Sequence, residues 1–173
     1  MKNIVLTGFM GTGKTTVGQL LAKKTHRQFF DTDQIIEDKL NAKISEIFKK
    51  IGETKFREFE IETISSISNL EDSVISCGGG AVINPINIQN LNKNGIIINL
   101  CASVNQILKR LPLFDSRPLI KQMANPFEDI KKMLVQRQKN YEKCDFSINT
   151  DNLTPEQVVE KILSNNLVQD ILK

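Results

Sequence analysis

The segment Gly8-Phe9-Met10-Gly11-Thr12-Gly13-Lys14-Thr15 sets three glycines, a lysine and a hydroxyl in the pattern G-x-x-x-x-G-K-[ST]. The chemistry open to such a set is anion binding. Glycines let several backbone N–H groups turn toward one point, the lysine adds a reaching charge, and the hydroxyl can ligate a hard cation. Ile4-Val5-Leu6 ahead of it reads as a buried strand, and Val17, Leu20, Leu21 and Lys24 behind it fall at helical spacing. The loop is therefore expected between a strand and a helix N-terminus, where the helix dipole also favours phosphate. Lys14 would reach the β- and γ-phosphates of a nucleoside triphosphate, and Thr15 would ligate Mg²⁺.

Three further groups of residues could complete a reaction. Asp31 and Asp33 form a D-x-D at the carboxyl end of a second expected strand. On an extended chain residues two apart share a side, so both carboxylates would overhang the sheet edge where open α/β sheets bind ligands. One could hold the waters of Mg²⁺ while the other accepts a hydrogen bond from a hydroxyl to be phosphorylated. Asp33 could instead cap the helix that follows. Ser76-Cys77-Gly78-Gly79-Gly80 ends the third strand with glycines that suit close backbone approach to a ligand. No aspartate stands at the end of that strand, which leaves Asp31 to supply the acidic group for the metal. Arg57 has Glu53 four residues before it and Glu60 three after, so a carboxylate could hold its guanidinium in place. The same spacing also describes an ordinary exposed helical ion pair.

The elements that must position these groups are five strands, near 4–6, 28–31, 73–77, 96–100 and 145–149, alternating with helical patterns. Near-continuous apolar strands between helices predict an α/β fold: a five-stranded parallel sheet covered on both faces. A long helical stretch over 34–70, broken near Asn41-Ala42-Lys43 and at Ile51-Gly52, exceeds what one crossover needs, so part of it is expected to form a substrate-holding lobe. Periodicity fails between Leu111 and Pro126, where prolines punctuate a run carrying Asp115, Arg117 and Lys121. A connection of that length is commonly a lid. Helices are expected over 126–143 and 154–172, the last opening with the capping-box sequence Thr154-Pro155-Glu156-Gln157.

The 173 residues suffice for one domain with a proper core. Net charge is +3 with basic and acidic residues interspersed, and nine Phe, one Tyr and no Trp make aromatics sparse, so no nucleic-acid surface is indicated. Met1-Lys2-Asn3 leads straight into a strand, and no apolar run approaches a membrane span, so a cytoplasmic protein is expected. Cys77, Cys101 and Cys144 include no C-x-x-C pair and read as reduced, small apolar residues. His26 is the one histidine and falls at the end of the first helix. Histidine-based nucleophilic or zinc chemistry is disfavoured.

Taken together, GFMGTGKTTVG over 8–18, the D-x-D, GExxFRxxE over 52–60, the triple glycine, Arg117-Pro118-Leu119 and R-x-x-x-Y from Arg137 to Tyr141 resemble the shikimate kinase family. Those are small nucleoside-monophosphate-kinase-like P-loop proteins, and the likeness runs over nearly the whole chain. The resemblance implies a three-layer P-loop NTPase fold in a single domain, with a substrate-binding helical lobe at 33–61 and a lid loop at 111–125. It implies that Gly11, Thr12, Gly13, Lys14, Thr15 and Thr16 wrap the ATP phosphates, with Thr15 on Mg²⁺ and Asp31 in its outer shell. Asp33, Arg57, Gly79 and Arg137 would hold shikimate, the arginines taking its carboxylate. Lys14, Asp33 and Arg117 would be the catalytic groups, with Arg117 closing over the phosphates from the lid. Gln138-Lys139-Asn140 departs from the family, which usually shows Pro-Leu before the tyrosine, and 150–154 lacks an arginine sometimes found there. The implied activity is transfer of the ATP γ-phosphoryl group to the 3-hydroxyl of shikimate by a monomer without nucleic-acid or membrane partners. A kinase of another small acid such as gluconate, or an NTP-binding regulatory module without turnover, are the alternatives. The intact Lys14, Thr15, Asp31, Asp33 and Arg117 speak against the second.

Overall fold

Side chains alternate along β1 (Asn3–Thr7) so that Ile4 and Leu6 enter one apolar cluster and Val5 enters another. The structure, a computed structural model, describes residues 1–111 and 124–172. In it β1 pairs in parallel with β3 (Ser73–Ser76) and β4 (Gly95–Cys101), which pair in turn with β2 (Gln28–Asp31) and β5 (Phe146–Asn149). The order is β2-β3-β1-β4-β5, the five-stranded parallel sheet expected.

One face is covered by α1 (Lys14–Thr25), α7 (Pro155–Leu163) and α8 (Asn166–Leu172). They bring Val17, Leu21, Val158, Ile162 and Val168 onto Ile4, Leu6, Val74 and Ile98. The other face is covered by α3 (Ile44–Ser68), α4 (Pro85–Lys93), α5 (Val104–Arg110) and α6 (Pro126–Tyr141), whose Ile64, Leu91, Ile107 and Ile130 pack on Val5, Ile75 and Ile97. With both faces buried, the strands need apolar residues at nearly every position.

Between β2 and β3, α2 (Thr32–Leu40) and α3 carry a third, smaller core of Ile36, Ile47 and Phe56, with Phe48 stacked 4.4 Å from Phe56 between ring centroids. Each such side chain contributes roughly 1.5–3 kcal/mol by leaving water. The two expected breaks are present. Asn41 adopts a left-handed conformation after α2, and Gly52 interrupts α3 at φ 77°, ψ 170°. The single helix expected over 154–172 is instead two. Asn165 explains the break: its side chain accepts from Leu167 N at 3.0 Å and starts a new helix in place of continuing the old one. The Thr154/Gln157 capping box at the start of α7 is present.

Arg27 fastens the sheet margin to the last helix. Its guanidinium donates to Lys2 O at 2.6 Å and Ile171 O at 3.0 Å and pairs with Asp72 at 3.1 Å, with its side chain 1% exposed. Burial pushes its pKa down against the pull of Asp72. Arg27→Met is expected to cost about 2–4 kcal/mol of stability by orphaning these partners and to leave turnover per folded molecule unchanged. Urea denaturation beside an activity assay checks both.

Candidate active site

The cleft lies where β1, β2 and β3 end side by side. After β1 the loop leads into α1, whose N-cap Gly13 has φ 95° and whose first turn has no side-chain cap hydrogen bond. Its amide donors thus face the cleft without a resident acceptor from a capping side chain. Lys14 arches back over the loop, donating to Gly8 O at 2.8 Å and Phe9 O at 2.9 Å, and is only 8% exposed. Thr12 turns the other way. Its hydroxyl donates to Phe9 O at 2.8 Å inside the loop, so its share of the site is backbone.

Asp31 closes β2 and serves two partners. One carboxylate oxygen accepts from Asp33 N (3.1 Å) and Gln34 N (3.4 Å), capping α2, and the other accepts from the Thr15 hydroxyl at 2.8 Å. This sets aside the alternative that Asp33 caps the helix, since the cap is Asp31, and corrects one expectation: the aspartates do not share a side of an extended strand, because α2 begins at Thr32. Asp33 reaches the cleft from the first helical turn instead. The Thr15 hydroxyl hydrogen is spent on Asp31, which leaves its oxygen lone pairs for a cation.

The triple glycine is the floor between these groups. A Cβ on Gly78 would stand 2.3 Å from an Asp33 carboxylate oxygen, one on Gly79 would stand 3.2 Å from Met10 N, and one on Gly80 would stand 2.5 Å from an Arg57 nitrogen. Each glycine therefore admits a different neighbour. Thr32 accepts from Gly78 N at 2.8 Å and ties the strip to α2.

Arg57 is held on both sides. It donates to both oxygens of Glu60 (2.9 and 3.0 Å) and to Glu53 at 3.0 Å. Burial works against its charge, yet Glu60 and Glu53 outweigh burial and raise its pKa. Glu60 is 1% exposed, so this is no ordinary surface pair. Burial pushes its carboxyl above the usual range, and Arg57 opposes that only in part. Asn87, itself fully buried, donates to Ala81 O at 3.0 Å and reaches Glu60 at 3.4 Å. Arg137 stacks over the Phe9 ring, 5.8 Å from its centroid.

Gly11, Gly13, Lys14, Thr15, Thr16, Asp31, Asp33 and Gly79 thus line one cleft, backed by Ser76 and Cys77, with the two arginines packed on the glycine strip and on the phosphate loop. Arg117 and most of the expected lid lie outside the described residues. The sequence reading missed Thr32, Asn87 and Arg110. Arg110 bonds Thr150 through its hydroxyl (2.9 Å) and carbonyl (2.8 Å) and reaches Gly11 O at 3.4 Å, linking the phosphate loop to the end of β5. Nothing in its local pattern marks it, since its partners are distant in sequence. The three cysteines are free, and among the described residues no group of three or more His, Cys, Asp or Glu side chains is placed to hold a metal ion.

A family model described as shikimate kinase matches residues 10–166. The chain belongs to the shikimate kinase family. It is 51% identical over 163 residues to a shikimate kinase of Thermodesulfovibrio yellowstonii, covering 94% of each chain, and 48% identical to one of Caldicellulosiruptor bescii, covering 98% of each. Among solved structures, the shikimate kinase of Acinetobacter baumannii in complex with shikimate superimposes with a TM-score of 0.92 at 35% identity, over 100% of this chain and 96% of that one.

Because Glu60 has a raised pKa in the folded protein, the folded state keeps a proton that the unfolded chain has lost. Stability contributed by this group is therefore lost as pH rises from about 4.3, the ordinary glutamate value, through the raised one. Wild type is expected to lose stability relative to Glu60→Gln over that rise. Urea midpoints of both proteins from acid to neutral pH test this, and a difference independent of pH would contradict it.

Proposed function

We propose that this chain transfers the γ-phosphoryl group of ATP to the 3-hydroxyl of shikimate, giving shikimate 3-phosphate and ADP in the route to chorismate and the aromatic amino acids. The observation that carries the reading is the glycine strip. It sets a carboxylate, Asp33, against Gly78 and a fixed guanidinium, Arg57, against Gly80, on either side of Gly79, which touches the phosphate loop. The solved relative that holds shikimate supports the same substrate.

Gly11, Thr12, Gly13, Lys14, Thr15 and Thr16 wrap the ATP phosphates in this reading. The donor set also fits Mg²⁺, a hard cation that takes oxygen ligands and keeps several waters. Thr15 would hold it directly through its lone pairs. Asp31, whose oxygens already accept hydrogen bonds, would hold its waters. Bound there, Mg²⁺ would neutralise charge on the β- and γ-phosphates. Lys14 would swing from the loop carbonyls toward the transferring group. Asp33 orients the attacking hydroxyl and accepts its proton late, as a loose transition state allows. Arg57 and Arg137 take the shikimate carboxylate, their planar forks matching it in bidentate pairs, while Gly79 offers backbone to the ring hydroxyls. Residues 33–61 serve as the substrate lobe, and 111–125 as a lid that brings Arg117 over the phosphates.

A cytoplasmic monomer acting on small molecules alone completes the proposal. The interspersed charge supports it, and among the described residues no helix is long and apolar enough to cross a membrane.

A coupled assay with ATP, Mg²⁺ and either shikimate or gluconate tests the activity, and turnover of gluconate alone would overturn it. Arg57→Ala and Arg137→Ala are each expected to cost about 2–5 kcal/mol of shikimate binding by stranding a desolvated carboxylate, with ATP affinity within a few-fold. Calorimetric titration of each ligand reads this out. Asp33→Asn is expected to keep the fold and ATP binding and to retain less than a tenth of the wild-type rate, a tenth being about 1.4 kcal/mol of barrier. A faster mutant would remove Asp33 from the chemistry.

A further inference from the structure

Tyr141 ends α6 with its side chain packed in the main core, 8% exposed as a residue. Its hydroxyl donates to Gly79 O at 2.6 Å, across 62 residues of sequence. A core position alone would be filled as well by phenylalanine, and a buried hydroxyl costs stability unless it is bonded. The hydroxyl is accounted for by what it touches. Gly79 O shares a peptide plane with Gly80 N, so fixing that oxygen fixes the strip on which Arg57 rests.

Arg137 lies one helical turn earlier on the same face, and its guanidinium stacks on Phe9 of the phosphate loop. One turn of α6 therefore grips both walls of the cleft, the loop through Arg137 and the glycine strip through Tyr141. Burial pushes the phenol's pKa up, while the positive charges of Arg137 and Arg57 pull it down. The phenol thus senses both arginines.

We propose that the Tyr141 hydroxyl is a positioning group for the acid-binding side of the cleft, holding the Gly79 peptide in register with the helix turn that carries Arg137. This rests on the reading that Arg57, Gly79 and Arg137 receive shikimate.

The test uses a property of this chain. Tyr141 is its one tyrosine, and there is no tryptophan, so emission excited above the phenylalanine band comes from this residue alone. Shikimate added to the wild type without nucleotide is expected to change that emission, saturating at the concentrations at which calorimetry shows binding. Tyr141→Phe is expected to raise the KM for shikimate about ten-fold, the scale of one hydrogen bond next to a charged group. The KM for ATP should stay within about two-fold and kcat within about three-fold of wild type, a split that general loosening of the core would not give.

An unchanged shikimate KM, or an equal rise in both KM values, overturns the positioning role. Emission that ignores saturating shikimate overturns it too, and that measurement needs no variant to fold. Arg137→Ala separates this idea from the site reading beneath it. If Arg137→Ala keeps its shikimate affinity, the acid site itself is misplaced. If Arg137→Ala loses that affinity and Tyr141→Phe does not, only the role given to the hydroxyl fails.

Discussion

Three consecutive residues at the end of β3 leave space for neighbours that any side chain would displace. On Gly78 a Cβ would strike the Asp33 carboxylate, on Gly80 it would strike the Arg57 guanidinium, and on Gly79 it would crowd the backbone of the phosphate loop. A carboxylate, a guanidinium and an amide-lined loop come from three different parts of the chain. They meet at one strip because the strip has no side chains of its own. The cost is backbone entropy on folding, and tethers on two sides offset it: Thr32 bonded to Gly78 N and Tyr141 bonded to Gly79 O. The remaining geometry of the cleft is set relative to this floor.

Charge in the cleft is distributed so that each group already has a partner that keeps its shape. Lys14 is folded onto loop carbonyls, Asp31 divides its oxygens between a helix cap and Thr15, and Arg57 divides its two terminal nitrogens between Glu60 and Glu53. The Glu60 pairing is not a cheap source of stability. A carboxylate with 1% exposure is costly to bury, and its raised pKa shows that Arg57 does not fully compensate. What the pair secures is orientation. An arginine held by two carboxylates has few rotamers left to lose when a ligand carboxylate arrives, so more of the interaction appears as affinity.

Strand periodicity and the glycine-lysine pattern made the sheet and the loop between β1 and α1 readable from sequence, because both depend on neighbours within a few residues. The breaks at Asn41 and Gly52 were readable for the same reason. The division of labour between Asp31 and Asp33 was not, since it turns on whether β2 ends one residue earlier or later, and a single residue decides which aspartate caps α2. The break at Asn165 was hidden because a side chain competing with the backbone leaves the apolar spacing of Val168 and Ile171 intact. Arg57 with Glu53 and Glu60 could be seen as a triad, but spacing alone does not distinguish a solvated pair from one pressed against a glycine. Arg110 acts through residues distant in sequence, and Asn87 reaches Glu60 across 27 residues, so neither left a local trace of that role.

The two halves of the cleft hang from different elements. In the proposed reading the phosphate side belongs to β1 and α1, and the acid side to α2, α3 and α6, which pack on opposite sides of the sheet or beyond its edge. A phosphoryl transfer with a loose transition state asks mainly that donor and acceptor be aligned, so the distance between these halves matters more than any single group within one of them. Few contacts span that distance among the described residues. Thr15 with Asp31 crosses from α1 to β2, Arg137 with Phe9 crosses from α6 to the loop, and the glycine strip lies beneath both. In the proposed reading these crossings are themselves parts of the ligand sites, so a change at one of them disturbs the affinity of its own site as well as the alignment of the two.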